Sequence, residues 1–185
     1  MVKHGKTVGF LVADETDTAE YEPIVDALRA AGTTCVIVAP DRTSLERICL
    51  AGSCPVRVGF GLQTARSIAL DALVVPDGRG VDAFLHQDKA LDFLRALDQQ
   101  GVPIVTLGRG ALVLVAADLV DGRHLAVPDE LARDLEPMGG IVSLAGYLKE
   151  GTRISAHGGA QIGLVAEALA GVLEGVAGGT TVVKF

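Results

Sequence analysis

Four short apolar runs set the strongest limit on what this chain folds into: residues 7–13 (TVGFLVA), 34–40 (TCVIVAP), 72–76 (ALVVP) and 104–107 (IVTL). Each is strand-length, aliphatic and bounded by turn residues, and a run that is apolar at every position belongs to a strand covered on both faces. About one helix of sequence lies between the first run and the second, so they are joined by a crossover and pair in parallel.

The intervening segments carry helical signals. After the acidic turn Asp14-Glu15-Thr16-Asp17-Thr18, Ile24, Ala27, Leu28 and Ala31 recur at helical spacing, and Gly32 stands where a left-handed terminal residue is wanted. Helical patterns run through Phe84 and Leu85, then Leu91, Leu94 and Leu97, and Gly101 and Pro103 close them. A polar helix is expected around residues 129–136 and a final one over 160–174; β-like pieces fall at 141–144 and 153–156. Residues 41–70 are less regular, with an alternating stretch at 56–60 that reads as a hairpin or edge strand. This alternation predicts an α/β, flavodoxin-like, doubly wound sheet, mostly parallel with helices on both faces, in one domain over residues 1–185. Ligands of such sheets sit beyond the carboxyl ends of the strands, which singles out the turns at 14–18, 77–80 and 108–111.

Composition excludes several classes of function. A net charge of -7 and the lack of any Lys/Arg cluster argue against a nucleic-acid partner, whose phosphates demand clustered cations. No apolar run approaches the roughly 18 residues that span a bilayer, and the N-terminus lacks the h-region of a signal peptide, so the expectation is a cytoplasmic protein without a membrane partner. Cys35, Cys49 and Cys54 are odd in number and lack zinc-like or CxxC spacing, so no metal site, cofactor or disulfide framework is expected.

With these turns in hand, the chain resembles the DJ-one/ThiJ/PfpI superfamily, a relation of the class I glutamine amidotransferases, over nearly its whole length. Residues 12–32 resemble the family's strand, acidic turn and helix, and residues 74–80 (VVPDGRG) its V-x-P-G-G turn. Residues 103–110 (PIVTLGRG) resemble the P-[IV]-x-x-[IL]-C-H-G elbow, and 114–123 (LVAADLVDGR) the segment that follows it. The resemblance implies a cysteine thiolate at the elbow, activated by a helix N-terminus, with a nearby Glu bonded to the sulfur. Here Gly108 takes the cysteine position, Arg109 that of the following His, and Asp17 the approximate place of Glu. The elbow wording is similar to that of the C-terminal domain of large-subunit catalases.

Glycine has no nucleophilic atom, so the leading expectation is a non-catalytic binding or assembly domain, a homo-oligomer and, by family likeness, stress-related. Gly108, Arg109 and Gly110 would offer backbone N–H groups and a guanidinium to a small anion or carboxylate ligand, or be a relic turn. Asp17 would be a ligand-orienting or acid/base group, or a helix N-cap; His157 would donate to a ligand, or be a surface turn residue. Asp77 and Gly78 hold the place of the family's oxyanion-hole glycines. The alternatives are a hydrolase, glyoxalase-like or hydratase-like enzyme using Asp17 and water, and a redox sensor or chaperone acting through Cys49 or Cys54, with Cys35 inert in its strand.

Overall fold

The computed structural model describes residues 5–50, 59–66, 68–175 and 180–183. Its strands are β1 (Thr7–Leu11), β2 (Thr34–Ala39), β3 (Gly59–Gly61), β4 (Ala72–Val75), β5 (Ile104–Leu107), β6 (His124–Ala126), β7 (Ile141–Ser143), β8 (Tyr147–Glu150), β9 (Arg153–Ala156) and β10 (Thr181–Val183). The helices are α1 (Thr18–Ala30), α2 (Arg42–Leu50), α3 (Leu62–Ala65), α4 (Asp88–Gln99), α5 (Leu112–Ala116), α6 (Asp129–Leu135) and α7 (Ile162–Leu173).

An eight-stranded sheet has the order β10-β8-β9-β5-β4-β1-β2-β3, and β6 pairs with β7 in a separate ribbon. From β9 to β3 every neighbouring pair is parallel, while β8 runs antiparallel to β9 and to β10. This is the flavodoxin-like, mostly parallel α/β sheet that the apolar runs predict.

Why those runs are apolar throughout is visible in β4. Ala72 and Val74 pack on one face with Phe10 and with Tyr21, Ile24, Val25 and Leu28 of α1; Leu73 and Val75 pack on the other with Leu91, Phe93, Leu94 and Leu97 of α4. The α1 residues recur at i, i+3, i+4 and i+7, the stripe a helix needs to lie on a sheet, and burying Ile24, Val25 and Leu28 contributes roughly 5–8 kcal/mol before chain entropy. Asp17 caps the start of α1; Gly32 ends it with φ +80°, its N–H bonded to Arg29 O while Thr33 N–H reaches Leu28 O.

Several local expectations change. The irregular stretch contains α2, β3 and α3, and of the two forms expected for residues 56–60 the edge strand is the one found, β3 joining the sheet edge parallel to β2; residues 56–58 lie outside those described. The apolar segment from Leu112 makes only the short α5, because the chain turns at Asp118 with φ +56°. Strands β6, β8 and β10 carry no apolar run that marks them, and β8 ends in Lys149 and Glu150.

Candidate functional site

β4 and β5 are neighbours, so the turns after them lie side by side at the carboxyl edge of the sheet. After Leu107 the chain bends at Gly108, which holds φ +46°, into a 3-10 turn (Gly108–Ala111) leading to α5. A positive φ at a strand-to-helix bend is the geometry of a nucleophile elbow. Gly110 is fixed by packing: a Cβ there would run into the carbonyl oxygen of Val75. Gly78, with φ +113°, is fixed in the same way, since its Cβ would stand 2.7 Å from Asp17 N and 2.8 Å from Glu15 O.

The side chain that fills this elbow is Asp77. Its Oδ1 accepts the N–H of Gly78 at 2.7 Å and the N–H of Arg109 at 3.0 Å. The same carboxylate occupies the space where a Cβ on residue 108 would begin. At the expected small-anion site of Gly108, Arg109 and Gly110, an internal carboxylate takes the Arg109 N–H. The Arg109 guanidinium is also engaged, its Nη2 bonding Asp82 Oδ1 at 2.7 Å, while its buried Nε has no partner among the described residues.

Asp17 does not reach into the elbow with its carboxylate. Its Oδ1 accepts the N–H of Ala19 at 3.0 Å, the ordinary work of an N-cap, and the residue is exposed. Its backbone N–H donates to Asp77 O at 3.2 Å, and the isolated bridge between Thr16 and Gly78 holds the β1 and β4 loops together. The half-buried acid facing the site is Glu20, one turn into α1. Its carboxylate accepts the N–H of Gly159 at 2.9 and 3.1 Å, linking α1 to the turn before α7. Burial pushes the Glu20 carboxyl above its usual range; the Gly159 N–H opposes this, and the nearby charges of Asp77 and Asp17 add to it. Glu20 was hidden in the sequence because Asp17-Thr18-Ala19-Glu20 reads as a local capping box, whose fourth residue serves the helix alone.

His157 follows β9 in that same edge of the sheet, since Ala156 pairs with Leu107. Its N–H bonds Gly146 O at 2.9 Å, and its buried Nε2 has no partner among the described residues. Cys54 and the side chain of Cys49 lie outside what is described. Cys35 is a free thiol in β2 that burial pushes up to about 11, against a small opposing effect of Arg29. No group of three or more His, Cys, Asp or Glu able to hold a metal ion occurs among the described residues.

The family model described as the DJ-1/PfpI family matches residues 6–170. The chain belongs to the DJ-1/PfpI family. Among curated members it is 22% identical over 134 residues to "Protein/nucleic acid deglycase 2" of Escherichia coli (strain K12), covering 72% of this chain and 77% of that one. It is also 22% identical over 138 residues to "General stress protein 18" of Bacillus subtilis (strain 168), covering 75% and 80%. Solved structures share the fold: a ThiJ/PfpI domain protein from Brachyspira murdochii aligns with TM-score 0.79 and 11% identity over 93% of this chain and 99% of that chain. A DJ-1 superfamily protein from Salmonella typhimurium aligns with TM-score 0.76 and 23% identity over 92% and 91%. In this DJ-1/PfpI chain residue 108, at the bend after β5, is glycine, and the Asp77 carboxylate occupies the space beside it.

Proposed function

We propose that this DJ-1/PfpI chain lacks the family's nucleophilic cysteine and works as a binding or assembly protein, not as a thiol enzyme. One observation carries the reading: the Asp77 carboxylate stands where a side chain at residue 108 would begin and takes up the Gly78 and Arg109 N–H groups. An elbow whose donors are already neutralised has neither a nucleophile nor free amides for a developing oxyanion. The wording of the elbow, similar to the catalase C-terminal domain, fits a member of this kind. A relative named as a general stress protein supports a stress-related role, and the family's common oligomeric habit supports a homo-oligomer. Among the described residues no helix is long and apolar enough to cross a membrane.

A second reading is favoured by Glu20. A half-buried carboxyl with a raised pKa beside a second carboxylate is equipped for proton transfer, so water activated by Glu20 and Asp77 replaces the Asp17 chemistry that the sequence alone points to. One experiment separates the readings. Deglycase, glyoxalase, esterase and peptidase turnover are measured on the purified chain, on the Cys35→Ser/Cys49→Ser/Cys54→Ser variant, and on Glu20→Gln and Asp77→Asn. The expected result is background in all four. Turnover lost only in the two carboxylate variants establishes the hydrolytic reading, and turnover lost only in the cysteine variant overturns the leading proposal in favour of a thiol enzyme.

A further inference from the structure

On the sheet face away from α1 and α7, a small cavity lies between β5, β8, β9 and β6, lined by Thr106, Ser155, Arg123 and Arg153 among aliphatic side chains. It offers about 10 Å³ to the centre of a water molecule, space for one such occupant. Thr106 is 1% exposed, and its Oγ1 has no hydrogen-bond partner among the described residues. Its parallel neighbour across the β5–β9 pair is Ser155, whose Oγ accepts the N–H of Ala126 in β6 at 2.8 Å and therefore keeps its own proton to give. Two neighbouring hydroxyls, one of them unpaired, thus face a hole of water size, and buried hydroxyls are almost always hydrogen-bonded.

We propose that this cavity binds one buried water molecule, which bonds the Thr106 and Ser155 hydroxyls beneath the direct bond that Ser155 accepts from Ala126 of the ribbon. The site is independent of the elbow and of any activity there. It takes water and not a larger ligand because the space ends at the aliphatic wall of Ile104, Leu114 and Leu148, and at Arg123 and Arg153, whose guanidinium groups pair with Asp98.

The test is a high-resolution crystal structure of the whole chain and of Thr106→Ser, with thermal melts of the wild type and Thr106→Val. A water peak within hydrogen-bond distance of residue 106 in both crystals is expected. Thr106→Val, which keeps the shape but removes the hydroxyl, should lower Tm by about 2–4 °C. A dry cavity overturns the inference, as does a Thr106→Val variant that melts at or above the wild-type temperature. A bromide soak that places an anomalous peak there also overturns it, because the site then selects an anion.

Discussion

Asp77 and Gly108 act as one unit, since the carboxylate of the first uses the volume that any side chain on the second would need. Gly108→Ala meets two penalties, the collision with Asp77 and the φ of +46°, and is expected to cost about 1–3 kcal/mol. In Asp77→Gly/Gly108→Ala the collision is gone, leaving the backbone penalty and the bonds lost with Asp77, so denaturant unfolding of both singles and the double should show favourable coupling. Glu20 gives a pH-dependent counterpart. Its carboxyl binds protons more tightly in the folded chain than in the unfolded one, where the ordinary value is 4.5, so ionising it costs stability. The cost is full above the raised value, shrinks as pH falls through it, and is gone below 4.5. Glu20→Gln keeps an oxygen for the Gly159 N–H but cannot ionise; its Tm should exceed that of the wild type at neutral pH, and melts at descending pH should bring the two together. Equal Tm at neutral pH means that burial, with the added charges of Asp77 and Asp17, does not raise the Glu20 carboxyl in the folded chain.

Among the elements, α4, β9 and the turn that leads into β6 are joined by a single acid. Asp98, 15% exposed near the end of α4, accepts two bonds from Arg123 at 3.0 and 3.2 Å, and Arg153 reaches the same carboxylate. Asp98→Ala leaves two half-buried guanidinium groups without their acceptor and should cost about 1–3 kcal/mol in urea unfolding, with a smaller loss in high salt. Such ties mark the boundary of what the sequence discloses. β1, β2, β4 and β5 are legible because being covered on both faces demands apolar residues at every position, and α1 and α4 because one-sided burial imposes a period. β8 is not legible, since four residues reading Tyr-Leu-Lys-Glu hold their place through antiparallel pairing with β9 and β10, a long-range fact with no local trace. At the site, the elbow glycines are legible from their order and spacing. That Asp77 fills the elbow is not, because it depends on two turns about thirty residues apart in sequence meeting across a pair of strands.

At the scale of the whole molecule, Met138, Ile141 and Leu144 are exposed around the β6–β7 ribbon, and Val182 is exposed on β10. If these residues form one contiguous face, they favour self-association; under the proposed function sedimentation velocity at micromolar concentration is expected to give a multiple of 19.1 kDa, and a species of 19.1 kDa alone removes the homo-oligomer. The strand order has a further consequence, for the chain as it leaves the ribosome. By the time α5 has emerged, β3, β2, β1, β4 and β5 are all available, yet β5 is an open margin until β9 arrives, more than forty residues after β5 itself. What becomes the interior of the finished sheet is, for several seconds at ordinary rates of translation, an unpaired strand edge in a half-made protein. A ribosome stalled in that interval would hold a nascent chain that chaperones must shield, however stable the completed fold.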